Sequence, residues 1–164
     1  MAAWSPDGGS LLVNGNLPEE GNRIFRIGLE GGPPEPLTAE GIAFGFFAIS
    51  PDGAALAAPL HGGGVAIYPL DGGGEPRLLE IDEQPLRWSA DGRSLYTAPL
   101  AAAATSLRRV DVASGATEIV ASLLPRDPSG VVQIGPVAVT PDGDAYVYGY
   151  ERRLSDLYVV EGLR

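Results

Sequence analysis

The chain has 164 residues, 45% of them hydrophobic and 20% charged, a soluble globular balance with enough length for one domain with its own core. Its net charge of −10 repels phosphate backbones and anionic headgroups, which argues against nucleic-acid and membrane-surface partners. There is no Cys and all 11 basic residues are Arg, so a thiolate metal site, a Cys nucleophile, a Schiff-base Lys and a P-loop Lys are excluded.

Gly and Pro, at 23 and 15 residues, approach a level associated with disorder. They recur at fixed places between apolar runs, however, and so read as tight turns in an all-β chain. Four of these turns share one pattern: Trp4-Ser5-Pro6-Asp7-Gly8, Ile49-Ser50-Pro51-Asp52-Gly53, Trp88-Ser89-Ala90-Asp91-Gly92 and Val139-Thr140-Pro141-Asp142-Gly143. Pro presets φ at the second turn position, the Asp carboxylate accepts backbone N–H groups, and Gly takes the left-handed position that closes a hairpin. Ala90 replaces Pro in the third unit and is expected to weaken that turn. The residue before each Ser or Thr is large and apolar, as packing between repeats requires.

Each turn is followed by a second hairpin. The first unit continues with 23–29, a turn at 30–34 and 35–38. The second has 65–70, a turn at 71–74 and 76–81. The third has 107–112, a turn at 113–115 and 117–121. The fourth has 156–160 as its third strand. The segment 14–22 is a polar loop, 99–105 with four consecutive Ala is another, and 125–130 lengthens the link into the fourth unit. The Asp-Gly turns at 7, 52, 91 and 142 are spaced by 45, 39 and 51 residues, and a period of this size with four strands per unit marks a β-propeller blade.

The expected fold is all-β, a single β-propeller domain of about four four-stranded blades over 1–41, 42–84, 85–130 and 131–164. The last unit lacks an outer strand, which leaves an exposed edge that folds normally avoid. The expectation is therefore an incomplete, open part of a larger propeller, with closure as a small ring or by self-association as the alternatives. The longest apolar stretch, 42–49, is far too short to span a bilayer. Residues 1–6 lack the charged and apolar regions of a signal peptide.

The four turns, with the strand ends Leu29-Glu30-Gly31-Gly32 and Leu70-Asp71-Gly72-Gly73, resemble the TolB-like β-propeller repeats, bacterial relatives of WD repeats. The resemblance covers nearly the whole chain, although the third and fourth units depart from it at the second turn. The segment 150–164 is similar to the C-terminal end of propeller regions in some large bacterial Ser/Thr protein kinases. There an N-terminal kinase domain is followed by a membrane segment and a propeller that acts as a sensor or interaction surface. That likeness implies an accessory propeller alone, because the sequence has no Gly-rich kinase loop, strand Lys or His-Arg-Asp catalytic loop, and an extracytoplasmic one if it is attached to an upstream membrane segment.

Candidate sites are few. The only His, His61, lies in a Gly-rich loop with neither a Gly-x-Ser-x-Gly elbow nor companions for a metal cluster, and reads as an exposed loop residue. Asp7, Asp52, Asp91 and Asp142, with Gly8, Gly53, Gly92 and Gly143, recur once per blade as structural turn residues do; a cation-binding ring of carboxylates is the functional alternative. The Gly runs at 62–64 and 72–74 read as turns, since neither opens a helix. Arg108, Arg109, Arg152 and Arg153 are either solvated strand residues or an interaction surface for acidic groups. Tyr146, Tyr148 and Tyr150 share one face by period-2 alternation, and Tyr158 lies on the strand expected to pair with theirs. That face is either an inter-blade packing surface or an exposed aromatic patch suited to protein contact.

The sequence thus predicts a non-catalytic scaffold or sensor module that needs no cofactor and binds a protein, peptide or small ligand at the central or top-face loops, with a protein or peptide the expected partner. The competing expectation is the propeller lid of a prolyl-oligopeptidase-type hydrolase whose catalytic domain lies outside these residues.

Overall fold

The computed structural model describes residues 1–70, 74–99, 103–156, 158 and 162. Among them there is no helix; fourteen strands form four antiparallel sheets in chain order. The first blade comprises β1 (Ala2–Trp4), β2 (Ser10–Gly15), β3 (Arg23–Gly28) and β4 (Glu35–Pro36). The second comprises β5 (Ala48–Ile49), β6 (Ala55–Pro59), β7 (Val65–Pro69) and β8 (Arg77–Leu79). The third comprises β9 (Gln84–Trp88), β10 (Ser94–Ala98), β11 (Thr105–Asp111) and β12 (Thr117–Leu123). The fourth contains β13 (Val131–Val139) and β14 (Tyr146–Arg152). The third strand expected at 156–160 falls on residues 157, 159 and 160, outside the described set, as do most of the turn at 71–74 and much of the alanine run.

Each of the first three blades is a four-stranded meander because each connection is a short turn or loop, and the described part of the fourth is its first hairpin. Strand burial follows position in the blade. β10 is buried on both faces, since a neighbouring blade covers each, whereas β12 is exposed for most of its length. The core is accordingly three apolar layers between blades. Leu12 and Ile24 of the first blade meet Leu56, Ala58 and Tyr68 of the second. Ala57, Val65 and Ile67 of the second meet Trp88, Leu95 and Val110 of the third. Tyr96, Ala98 and Leu107 of the third meet Ile134, Val137 and Val139 of the fourth.

The hairpin registers make this packing a rule. The turn-preceding residue and its cross-strand partner form the pairs Trp4–Leu11, Ile49–Leu56, Trp88–Leu95 and Val139–Tyr146. In the second and third blades both members face the preceding blade, as Val139 does in the fourth. One residue earlier, alternation sends the side chain to the other face, giving the pairs Ala3–Leu12, Ala48–Ala57 and Ala138–Val147. Ala3 and Leu12 pack towards the second blade, and Ala48 and Ala57 towards the third. Trp88 adds a polar lock. Its indole is 4% exposed and its Nε1–H donates to the Ala48 carbonyl of the second blade at 3.0 Å. Trp4 departs from the expectation that all four register residues pack between blades, being 60% exposed. The register decides which way it points, but no described residue covers it.

The turns carry a second order of contacts, from one blade to the next. A Cβ on Gly53 would lie 3.4 Å from the Pro6 ring, and one on Gly92 would lie 3.9 Å from Pro51. At the third turn, Ala90 does what proline cannot: its N–H donates to the Pro141 carbonyl of the fourth blade's turn at 2.9 Å. Ala90→Pro removes that bond. The lost hydrogen bond costs about 1–3 kcal/mol, against an entropic gain of about 0.4–1 kcal/mol from proline. Urea unfolding should show a net loss near ~1 kcal/mol; an unchanged or raised midpoint would contradict the assigned bond.

Candidate functional site

The turn ends of the blades form one surface. In each turn the hydroxyl of Ser5, Ser50, Ser89 or Thr140 donates to the aspartate two residues on. The same hydroxyl accepts a backbone N–H from the start of the next strand at 2.9–3.0 Å. The aspartate in turn accepts the backbone N–H two residues further, at 3.0–3.1 Å. Gly8, Gly53, Gly92 and Gly143 all have φ between 68° and 81°, the left-handed region in which a side chain is strained. Asp7, Asp52, Asp91 and Asp142 are thus committed to their own turns and do not converge on one point.

Each of these four carboxyls is held below the ordinary aspartate range, first by the hydroxyl donor and next by the backbone N–H. A folded-state pKa below the unfolded value of about 3.9 contributes stability that is present above that value. It is lost as pH falls through the folded pKa. Unfolding midpoints in urea should therefore drop between neutral pH and pH about 3. Ser50→Ala, which removes the largest cause of the shift at Asp52, should lower the midpoint more at neutral pH than in acid. An equal loss at both pH values would show that the Ser50–Asp52 bond does not carry the effect.

Between the first two turns lies a cleft of about 460 Å³ lined in part by Ser5, Asp7, Arg26, Asp52 and Leu70. Arg26 is its cation, shared with Glu35 at 3.7 Å. At the opposite end of the blades, Asn14 donates to the Ala43 carbonyl, and Asn22 donates to Asn14 and to the Ile42 carbonyl, tying the first blade to the second. In the third blade Glu83, only 6% exposed at its side chain, accepts from both Arg108 and Thr97. Glu83 was not singled out in the sequence, where it is one carboxylate in the acidic link before β9. Its partner is 25 positions away, and no local pattern marks such a pair.

The structure separates the other predicted site residues. Arg108 and Arg109 are neighbours on β11 and so project from opposite faces. Arg108 binds Glu83 and Arg109 lies 3.6 Å from Glu118. Arg153 is paired with Glu151 at 2.9 Å. Tyr148 packs against the layer between the third and fourth blades. Opposite it, β13 carries a bulge between Ile134 and Val137. Tyr146 and Tyr150 stay about half exposed, so the aromatic face is divided between packing and solvent. Tyr158 is exposed, and His61 sits in an exposed turn with its backbone N–H donated to Gly41.

One constellation does assemble. Arg152 donates to both the carboxylate and the carbonyl of Asp127. Its guanidinium lies 5.7 Å from the centre of the Tyr150 ring, within cation–π range. Tyr150 is 48% exposed. Asp127 is itself held below the ordinary range, first by the Ser129 N–H and hydroxyl and then by Arg152. Among the described residues there is no group of three His, Cys, Asp or Glu side chains able to hold a metal, and no helix long and apolar enough to cross a membrane.

No protein-family model and no curated protein sequence matches the chain. Solved structures do. A TolB-type protein from Agrobacterium tumefaciens aligns with 96% of the chain at 24% identity and a TM-score of 0.62. TolB from Acinetobacter baumannii aligns with 94% at 18% identity and a TM-score of 0.68. An oligogalacturonate lyase from Vibrio parahaemolyticus aligns with 92% at 18% identity and a TM-score of 0.65. The chain spans 62%, 38% and 45% of those three proteins. At these identities the likeness is one of fold, and the fold is that of TolB-like β-propeller repeats.

Proposed function

We propose that the chain is a non-catalytic β-propeller scaffold or sensor module that binds a protein or peptide segment on its last blade, at Tyr150 and Arg152. One observation carries this reading: a half-exposed aromatic ring beneath a guanidinium already fixed by Asp127. Tyr and Arg are the side chains that dominate protein-binding energetics, and a pre-ordered pair loses little entropy on docking. The similarity of 150–164 to kinase-linked propeller ends agrees with a sensor placement.

The turn hydroxyls support the non-catalytic part. Each donates its proton to an aspartate and has no histidine beside it to serve as base. The other Arg candidates are paired with carboxylates of their own.

Peptides selected from a displayed library against the full chain should lose binding to Tyr150→Ala by roughly 30-fold or more, the size of a hot-spot residue. Affinity unchanged by Tyr150→Ala and by Arg152→Ala would place the binding surface elsewhere. Turnover of oligogalacturonate by the purified chain would contradict the non-catalytic reading.

A further inference from the structure

The cleft between the first two blades and the one between the third and fourth are built from the same register positions. Ser5, Asp7 and Arg26 line one, and Ser89, Asp91 and Arg109 line the other, each joined by the aspartate of the next turn, Asp52 or Asp142. They differ in what reaches across them. Tyr96 stands opposite Arg109 on the neighbouring strand, and Leu12 stands opposite Arg26. The Tyr96 phenol is 2% exposed and crosses to the turn of the following blade, where a Cβ on Gly143 would lie 2.9 Å from its ring carbon Cζ. Leu12 is too short to cross. The atoms nearest a Cβ on Gly53, the equivalent glycine, belong to Pro6 at 3.4 Å and beyond. The cleft of about 460 Å³ stays open beside them, a size at which binding sites occur. Both of its walls, the first and second blades, belong to the described residues.

The open cleft offers what a phenol needs. Leu12, Ile49 and Leu70 give it apolar surface. Asp7 and Asp52 are held in their turns through Oδ1 alone, so Oδ2 of each is left to accept a donor. Gly9 and Gly28 line the cleft without side chains that would block an approaching backbone. We propose that it binds the side chain of a tyrosine presented by a partner polypeptide. The ring takes the place that Tyr96 fills in the equivalent cleft, and its hydroxyl donates to the Asp52 carboxylate beside Gly53. The site lies at the turn end of the blades, whereas Tyr150 and Arg152 lie at the far end of β14 from its turn, so it is independent of binding at the last blade. Two carboxylates at the tip of the ring also set a condition: phosphorylation of the tyrosine brings like charges together and removes it from the cleft.

Titration of the methyl-labelled full chain with acetyl-Gly-Tyr-Gly-amide should shift the NMR signals of Leu12, Ile49 and Leu70, with a Kd on the order of 1 mM. The phenylalanine peptide should bind roughly 10-fold more weakly, because it lacks the donor to a carboxylate. The phosphotyrosine peptide should not bind. Free p-cresol should bind roughly 10-fold more weakly than the tyrosine peptide, since it has no backbone to lie along the glycine-lined rim. Asp52→Asn keeps the Oδ1 that serves the turn, and it should lower the tyrosine peptide to the affinity of the phenylalanine peptide. Leu12→Tyr supplies the ring from within the chain and should abolish binding while keeping the circular dichroism of the parent. Absence of shifts at the three residues would overturn the proposal. So would equal binding of the phenylalanine peptide or of p-cresol, tighter binding of the phosphotyrosine peptide, a tyrosine preference that survives Asp52→Asn, or a folded Leu12→Tyr variant that binds like the parent.

Discussion

Docking of one blade on the next is the interaction on which the rest of this structure depends. A single propeller blade is a small sheet with two apolar faces, and it cannot bury either alone. The hairpin register resolves this by sending the residue before each turn to one side and the residue before that to the other. Trp88 shows the rule at its fullest, with its ring in the apolar layer and its N–H on the Ala48 carbonyl. A buried indole needs that acceptor, because an unpaired polar group in the layer would cost about as much as several methyl groups gain. The carbonyl is supplied by the neighbouring blade, so one hydrogen bond fixes both the spacing and the register of two sheets.

The turns serve the same end by different chemistry. Their Ser or Thr hydroxyl links the aspartate to the first N–H of the following strand, which closes each hairpin without apolar burial. The four aspartates therefore need no ligand to account for them. The same economy appears among the arginines, where Arg108, Arg109, Arg152 and Arg153 each have a carboxylate partner. Against that background the Tyr150–Arg152 pair differs, because its cation is anchored at one side and presents an aromatic ring to solvent at the other.

Much of the architecture was legible in the residues, because an Asp-Gly turn between alternating runs has few structural solutions. The role of the turn aspartates followed from the same local chemistry. What escaped were properties that depend on distant partners. The register shows which way Trp4 points but not whether a blade stands there to receive it. Ala90 looks like a defect in its turn until the Pro141 carbonyl is placed beside its N–H. Glu83 and Arg108 meet across 25 positions. The Tyr146–Tyr148–Tyr150 alternation is sound as periodicity, yet only Tyr148 reaches the inter-blade layer, where its partner strand bulges.

The account's central claim is that register assigns the direction of each turn-preceding side chain and a neighbouring blade supplies its stabilisation. The most direct test compares Trp88→Ala with Trp4→Ala by urea unfolding, at chain concentrations low enough that single molecules are measured. The two residues share a register and differ in whether a described blade covers them. Trp88→Ala should cost about 3–5 kcal/mol, as truncation of a buried aromatic does, and Trp4→Ala should fall within about 0.5 kcal/mol of the parent, as exposed substitutions do. Equal losses at the two positions would contradict the account.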